Sequence, residues 1–343
     1  MKKIIALLLL LALGLPSRAG AGETVVTIAA AGDNLIHSSI FRDAKTDSGY
    51  DFSPIYGKVS QIISSADVAY INQETPLGTS GFSGYPHFCT PCEIADNLIS
   101  VGFDVIGIAN NHMLDRGDDG LRFTRDYIAE RAEAVIGYDR DSIAVVERKG
   151  IKLAFVQMTY STNCDGQSDI PRLSFSLCER LIKRAKEKAD AVIVCVHFGD
   201  EFDSGRAMSV FPTSEKQEEY ARYIADCGAD IIIGTHPHVL QKMEAYNGGY
   251  IFYSLGNFSF GGNTAPRDVD TAIAQVTVKK DGDSWTVEGY DLIPCRLSST
   301  DSKNDYRPRP YKEDEEGYAR VLSKLDGSWT GSDLNVDYSF MYR

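Results

Sequence analysis

The chain has 343 residues, of which 43% are hydrophobic and 24% charged, a composition typical of a globular protein that excludes collagen, coiled coil and extended disorder. Its 35 Lys and Arg residues against 48 Asp and Glu give a formal net charge of -13. Such a chain has no basic surface to gather phosphates, which argues against nucleic acid as a partner. Its length is sufficient for one large core.

The first 21 residues have the layout of a secretory signal peptide. Two lysines precede an apolar run over residues 4–15, and small residues at Ala19 and Ala21 offer cleavage sites. The run is shorter than the ~20 residues of a membrane-spanning helix. We therefore expect an extracytoplasmic protein, secreted or associated with the cell envelope. The alternative is an uncleaved N-terminus that anchors the chain in the membrane.

Apolar runs alternate with helix-length amphipathic segments in the first part of the chain, which predicts an α/β fold. In chain order the prediction is strand 25–31, helix 54–64, strand 68–71, helix 91–101, strand 105–109 and helix 120–131. Three later runs, at 151–158, 191–196 and 231–233, are apolar nearly throughout. Strands buried on both faces have this composition, so these three belong in the middle of sheets.

After Gly234 the alternation of strands and helices ends, and two hairpins are predicted. One spans residues 241–255 around an Asn-Gly-Gly turn, and the other spans 272–292 around Lys-Asp-Gly. From 298 to 316 the chain is polar and nearly free of aliphatic residues. We therefore expect one domain over residues 24–297 and a polar C-terminal extension over 298–343, with a single surface helix at 317–325.

The chain has seven cysteines, and the odd number leaves at least one free thiol in a monomer. An exported protein can form disulfides. Cys89 and Cys92 have C-x-x-C spacing, but no second such pair is present. We expect a local disulfide or a clip on a substrate loop here, rather than a redox or zinc pair. The surrounding loop, residues 78–92, is rich in Gly, Ser and aromatic residues and is the best candidate for a substrate lid.

Polar side chains follow directly on the apolar runs. They are Asp33, His37, Asn72, Glu74, Asn111, His112, Asp115, His197, Glu201, His236 and His238. Each alone fits a turn, a helix cap or a polar loop. Because the carboxyl ends of strands in an α/β sheet share one edge, we expect these residues to converge on one crevice. Five of the six histidines lie at the ends of successive predicted strands, and helix capping alone does not explain this placement.

Imidazole, carboxylate and amide groups together favour a borderline divalent ion such as Mn, Zn or Fe over Ca or Mg. The candidates exceed one tetrahedral set of ligands. Two ions that share a bridging carboxylate would use them all, and such a pair activates water and holds a phosphoryl or carbonyl group. Arg42, Arg116 and Arg206 lie near these clusters in sequence and are available to an anionic substrate.

The same stretches resemble the CapA family of poly-gamma-glutamate capsule synthesis proteins, which is similar to the calcineurin-like metallophosphoesterases. The matching runs include Gly32-Asp33, Asn72-Gln73-Glu74-Thr75-Pro76, Ala109-Asn110-Asn111-His112 and Gly234-Thr235-His236-Pro237-His238. They cover about residues 26 to 260 in order. The resemblance implies a four-layer α-β-β-α sandwich of metallophosphoesterase type with two mixed sheets.

The resemblance also implies roles for individual residues. It implies metal ligands at Asp33, Glu74, Asn111, His197, His236 and His238, with Glu74 in the bridging position. It implies His112 beside the leaving group, with Asp115 and Arg116 in the same catalytic motif. His37, Asn72, Glu201 and Asn257 are candidates for substrate contact. The chain departs from the phosphoesterase pattern at its opening Asp-x-His, where Leu35 replaces the histidine and His37 is the nearest substitute.

Two hypotheses follow for function. The first is an exported metal-dependent hydrolase, with two divalent ions, that acts on phosphoester or amide bonds in capsule biosynthesis. The second is a non-catalytic factor that uses the same pocket to bind, export or tether an anionic envelope polymer such as poly-gamma-glutamate, within a capsule-synthesis membrane complex. The first predicts turnover, and the second predicts binding without turnover.

Overall fold

The computed structural model describes residues 23–200, 202–203, 206–207, 213–261, 269–282, 284–300 and 304–329. The expected signal peptide, Glu201 and the last part of the C-terminal extension lie outside the described residues. At Arg206 only the backbone is described. No helix among the described residues combines the length and the apolar character needed to cross a membrane.

Strands and helices alternate along most of the chain. The strands are β1 (Thr24–Leu35), β2 (Lys45–Thr46), β3 (Gly49–Tyr50), β4 (Val68–Gln73), β5 (Leu77–Gly78), β6 (Thr90–Pro91), β7 (Val105–Gly107), β8 (Ala134–Ile136), β9 (Ala144–Arg148), β10 (Ile151–Thr159), β11 (Ala191–His197), β12 (Phe202–Asp203), β13 (Arg206–Ala207), β14 (Ile231–Thr235), β15 (Met243–Tyr246), β16 (Gly249–Phe252), β17 (Asn257–Phe260), β18 (Asp270–Asp281), β19 (Ser284–Arg296) and β20 (Arg309–Pro310). The helices are α1 (Ser38–Asp43), α2 (Ser53–Tyr56), α3 (Ser60–Ser65), α4 (Glu93–Val101), α5 (Gly117–Ala129), α6 (Phe175–Lys186), α7 (Glu215–Asp226) and α8 (Glu316–Leu325).

Two large sheets form the body of the domain, and both are mixed. The first has the order β20-β19-β18-β1-β4-β7-β8, with β17 paired to the end of β1. Its strands are parallel from β1 to β8 and antiparallel from β1 to β20. The second has the order β15-β16-β14-β11-β10-β9, with parallel pairs in the centre and an antiparallel strand at each edge.

The two sheets face each other across a shared apolar layer. Tyr70 and Val105 of the first sheet pack there with Phe155, Ile193 and Phe252 of the second. Helices α1 to α5 cover the outer face of the first sheet, and α6 and α7 cover the outer face of the second. The predicted four-layer α-β-β-α sandwich is therefore confirmed.

The apolar strands lie where their composition places them. β10, β11 and β14 are interior strands of the second sheet, and both predicted hairpins form, as β15-β16 and β18-β19. The predicted helix over 54–64 is instead two short helices, α2 and α3. Gly57 follows α2, and the low helix propensity of glycine favours a break there.

The described part of the C-terminal extension packs against the first sheet. We expected a polar extension from residue 298 onward, but β20 adds a strand to β19, and α8 buries Val321 and Leu325 against Leu240 and Ala272. The polar composition of this segment is compatible with packing because some of its polar groups are paired in the interior. The carboxylate of Asp270 receives bonds from two cations of α8. Packing therefore continues past Leu297 to the end of α8.

Candidate metal centre

Several of the polar side chains predicted to converge at the strand ends lie together in the structure, and we call this cluster the crevice. Asp33 lies near the end of β1, Glu74 follows β4 directly, and His197 is the last residue of β11. His236 follows β14 directly, and Asn111 lies four residues after β7. These strands belong to both sheets, so the site is built where their carboxyl ends meet.

Two groups of buried ligands share one carboxylate. The first is Glu74, His197 and His236, and the second is Asp33, Glu74 and His238; within each group the ligand atoms lie within 4.8 Å of one another. A carboxylate common to two ligand groups is the arrangement that bridges a pair of metal ions. Glu74 belongs to both groups, which is what the bridging role predicted for it from the sequence would require.

The first group converges on the Nε2 atom of His197. This nitrogen lies 3.0 Å from Asn111 Oδ1, 3.1 Å from His236 Nδ1 and 3.6 Å from Glu74 Oε1. Ligands that share one ion at about 2.0–2.2 Å are separated by similar distances. In the tautomers that leave these two ring nitrogens unprotonated, all four atoms are acceptors, and a cation among them would satisfy them together.

The other ring nitrogen of His197 orients the imidazole. Its Nδ1 lies 3.0 Å from Thr235 Oγ1. In the tautomer with the proton on Nδ1, the ring donates to this hydroxyl and presents the Nε2 lone pair to the ligand group. Burial, followed by the nearby imidazoles of His236, His238 and His112, lowers the pKa of His197 well below its usual value. The ring is therefore held neutral, the form that binds metal.

In the second group, hydrogen bonds hold the carboxylate of Asp33 and the imidazole of His238. Asn72 Nδ2 donates to Asp33 Oδ1 at 2.7 Å, and the backbone N–H of His236 donates to Asp33 Oδ2 at 3.0 Å. His238 Nδ1 lies 3.0 Å from Asn257 Oδ1 and 3.6 Å from Asp33 Oδ2. Asn72 and Asn257 were predicted to contact substrate, and both contact ligand residues in this structure.

The backbone around the ligands is constrained. His236 and His238 have φ values of 106° and 58°, in a region that residues other than glycine rarely adopt. Such conformations cost about 1–3 kcal/mol each and cluster at functional sites. Here they turn both rings of the His-Pro-His segment into the crevice. Gly32 is required for a different reason: a Cβ there would lie 1.9 Å from the backbone oxygen of Gly256.

His112 forms a pair with Asp115 beside the crevice. Its Nδ1 lies 2.8 Å from Asp115 Oδ2, which also accepts the backbone N–H of Phe88 at 2.8 Å. The Phe88 ring packs edge-on against His112 with centroids 4.7 Å apart. Arg116, the third member of the predicted catalytic motif, is exposed at the start of α5, and its Nη2 lies near Gly81 of the 78–92 loop.

His37 occupies an aromatic pocket. Its ring centroid lies 4.7 Å from that of Phe260 and 5.2 Å from that of Phe88, and its Nδ1 lies 3.3 Å from the Leu35 oxygen. Burial is the main cause that lowers the pKa of His37 to about 3. The ligand groups formed by the described residues do not include it. His37 therefore lies in an aromatic wall beside the two ligand groups, where burial favours its neutral form.

Sequence reasoning missed three residues around the site. Gln157 Nε2 donates to Asn72 Oδ1 at 3.0 Å, and its Oε1 accepts the N–H of Ala109 at 2.9 Å. An amide within an otherwise apolar, doubly buried strand is a signal that could have identified it. Thr235 orients His197, and the ring of Tyr160 lies 4.5 Å from the ring of His236. Nothing in the pattern around Tyr160 marks it.

The expected disulfide between Cys89 and Cys92 is absent. All seven cysteines lie among the described residues and are free thiols. The sulfur of Cys89 contacts the Ser80 oxygen at 3.6 Å, and that of Cys92 contacts Glu93 Oε2 at 3.8 Å. The two thiols thus have separate partners, and the C-x-x-C spacing forms no bridge.

The two facing mixed sheets and their outer helices have the arrangement of a metallophosphoesterase-like fold. A phosphatase from Mycoplasma pneumoniae shares the fold with a TM-score of 0.54, over 83% of this chain and 96% of that one. The sequence identity is 14%, so this likeness concerns the fold alone.

The family is shown by sequence. Residues 27–262 match the sequence pattern of the family described as bacterial capsule synthesis protein PGA_cap. The chain therefore belongs to this family. It is 30% identical over 252 residues to the PGA biosynthesis protein CapA of Bacillus subtilis (strain 168), covering 70% of this chain and 61% of that protein. It is 29% identical over 277 residues to the capsule biosynthesis protein CapA of Bacillus anthracis, covering 74% and 64%. The chain thus spans slightly less than two thirds of the length of these relatives.

Proposed function

We propose that this chain is an exported, metal-dependent hydrolase that cleaves phosphoester or amide bonds during the biosynthesis of an anionic envelope polymer such as poly-gamma-glutamate. The observation that carries the proposal is the sharing of Glu74 by two buried ligand groups. The polymer is suggested by the names of the two Bacillus relatives.

The residues fit a pair of divalent ions such as Mn, Zn or Fe. The donors are imidazole nitrogens, carboxylates and one amide oxygen, which is the mixture that borderline ions prefer. When bound, such ions supply Lewis acidity, so that a phosphoryl or carbonyl group is polarised and water becomes more acidic. They would also offset the negative charge of Asp33 and Glu74, which would otherwise repel an anionic substrate.

The protein's own groups supply orientation and a proton. With Nδ1 donating to Asp115 Oδ2, the imidazole of His112 is fixed in one orientation. A ring held in this way can direct its Nε2 atom toward a leaving oxygen or nitrogen and serve as the general acid. Phe88 and His37 form an apolar wall that limits the access of water to this side of the crevice.

A second candidate is a non-catalytic role for the same pocket, in binding, exporting or tethering the polymer within a capsule-synthesis membrane complex. The observation in its favour is that the Bacillus relatives are named for biosynthesis, in which the polymer is made and not degraded. The two candidates share the metal centre and differ in turnover.

The first experiment measures the metal content of protein expressed from Gly22 onward. Plasma mass spectrometry compares the wild type with a variant carrying His236→Ala and His238→Ala. A matched control carries Glu179→Ala and Lys183→Ala, two exposed positions on α6. We expect the histidine variant to hold about two fewer transition-metal ions than the wild type and the control. Background metal in all three proteins, even after reconstitution with Mn and Zn, would overturn the metal-dependent proposal.

A substrate screen then separates the two candidates. Aryl phosphomonoesters, aryl phosphodiesters and gamma-glutamyl oligopeptides are presented to the metal-loaded wild type and to Glu74→Gln. Hydrolysis by the wild type that is lost in the variant supports the hydrolase. Saturable binding of the oligopeptide without cleavage of any substrate supports the non-catalytic role.

A further inference from the structure

A third cluster of metal-ligating side chains lies beside the crevice and shares no residue with the two ligand groups around Glu74. It consists of His87, Asp115 and Cys164, whose ligand atoms lie within 4.8 Å of one another. His87 belongs to the 78–92 loop, Asp115 precedes α5, and Cys164 lies in the loop between β10 and α6. Three separate loops thus bring three kinds of donor to one point.

The spacing of these atoms suits a single ion. Cys164 Sγ lies 3.6 Å from His87 Nδ1 and 3.8 Å from Asp115 Oδ1. Around a tetrahedral zinc ion, with a sulfur ligand at about 2.3 Å, a sulfur and a nitrogen or oxygen ligand are separated by roughly 3.5–3.7 Å. A small contraction would bring all three atoms to bonding distance.

The charge and accessibility of the cluster also suit a cation. His87 is exposed and Cys164 is half-buried, whereas the Asp115 side chain is fully buried, so an ion can approach from the side of His87 and Cys164. Partial burial, followed by the negative charges of Asp115 and Asp165, raises the pKa of the Cys164 thiol. Those carboxylates disfavour a bare thiolate and attract a dication, which in turn favours the thiolate.

We propose that His87, Asp115 and Cys164 form a third metal site that binds Zn²⁺ through imidazole, carboxylate and thiolate, with a fourth position open to solvent. Sulfur among the donors separates this site from the crevice, where the ligands are nitrogen and oxygen. Occupancy ties the 78–92 loop to the loop after β10. It also engages Asp115 Oδ1, whereas Asp115 Oδ2 holds His112, so the ion adjusts the residue that orients His112.

The test uses Co²⁺ as a spectroscopic substitute for zinc in the reduced protein. A cobalt ion bound to thiolate gives a charge-transfer absorption that oxygen and nitrogen ligands do not give. We expect this absorption to saturate at about one cobalt per chain, to vanish in Cys164→Ser and to disappear when zinc is added. Cys227→Ser, which removes a half-buried thiol elsewhere, is the matched control and should leave the absorption unchanged.

Two further variants keep the test decisive. His87→Ala changes an exposed side chain and should weaken cobalt binding at this site at least tenfold even if Cys164→Ser folds poorly. The double variant His236→Ala, His238→Ala should keep the thiolate absorption, which separates this proposal from that of the crevice. The proposal is overturned if the wild type shows no thiolate absorption, if the absorption survives Cys164→Ser, or if His87→Ala binds cobalt with unchanged affinity.

Discussion

Two buried carboxylates, Asp270 and Glu74, differ in the side chains that surround them. The Asp270 side chain is 1% exposed and binds Arg320 at 2.7 and 2.8 Å and Lys324 at 2.6 Å. The Glu74 side chain is fully buried, and the imidazoles of His197 and His238 lie 3.6 and 3.7 Å from its Oε1 atom.

The difference lies in where the compensating cation comes from. For Asp270 the cations are part of α8, so the charge holds the C-terminal extension against β18. Around Glu74 the His197 ring is kept neutral by its lowered pKa, and Asp33 adds a second carboxylate. A charge that the fold compensates serves stability, whereas a cluster of acceptors and negative charges is suited to ions from solution.

The largest effect is expected from Asp270→Ala. This change leaves Lys324 buried without its carboxylate and also removes a hydrogen bond from Tyr311. Breaking a buried ion pair by removing one partner typically costs 3–5 kcal/mol, and we expect a decrease of about that size in the free energy of unfolding. Urea denaturation followed by circular dichroism measures it. A decrease below about 1 kcal/mol would mean that α8 contributes little to the fold.

Glu74→Gln should instead reduce hydrolysis strongly without reducing the stability of the fold. Loss of an outer-shell partner alone costs 10–100-fold in metal affinity or activity, so loss of the shared ligand should reduce hydrolysis about 100-fold or more, ~2.7 kcal/mol. The metal-free variant should unfold at an equal or higher urea concentration than the metal-free wild type, because a buried negative charge beside Asp33 has been removed. Destabilisation as large as that of Asp270→Ala would show that Glu74 serves the fold.

The same contrast explains what could be predicted from sequence. His197 and His236 were found because they follow apolar strands, and strand ends of a sheet share an edge. Asp270 is the first residue of β18, and its partners lie in a helix about fifty residues later, so only the tertiary structure reveals the pair. The cluster of His87 and Cys164 was missed for a related reason, since loops carry no periodicity from which a contact can be inferred.

A smaller effect concerns pH and the metal-free protein. The pKa of His37 falls from 6.5 to about 3 on folding, so between these values the unfolded chain binds one more proton than the folded one. The contribution of His37 to the free energy of unfolding is therefore fully present above pH 6.5. It is lost as the pH falls toward 3, by up to about 1.4 kcal/mol per pH unit. His37→Leu should reduce this slope by about the same amount.

Urea denaturation at pH 7 and pH 5, in the presence of a chelator, measures that slope. The pKa of Asp270 lies below 3.8 because of Arg320 and Lys324, so this group stays ionised over the interval. Burial raises the pKa of Asp230 to about 6, so this group takes up a proton in the folded state over the same interval and offsets part of the loss from the buried histidines. The difference in slope between the wild type and His37→Leu therefore reports on His37, and the Asp270→Ala variant should show the same slope as the wild type. An unchanged slope in His37→Leu would mean that other groups bind the protons.

The smallest effect is expected from Glu315→Gln, in the same extension that Asp270 anchors. Glu315 pairs with Arg309 at 2.6 and 2.9 Å, as closely as Asp270 pairs with Arg320, but the two side chains are 30% and 20% exposed. Solvent already compensates exposed charges, so such pairs contribute about 0–1 kcal/mol, and we expect a loss of stability within that range by urea denaturation. The geometry of the two arginine pairs is similar, whereas Asp270 is more deeply buried and also binds Lys324 and Tyr311, so the loss in Glu315→Gln should be several times smaller than that in Asp270→Ala. Equal losses would show that the geometry of the arginine pair, and neither burial nor the additional partners, decides how strongly a carboxylate holds the extension to the sheet.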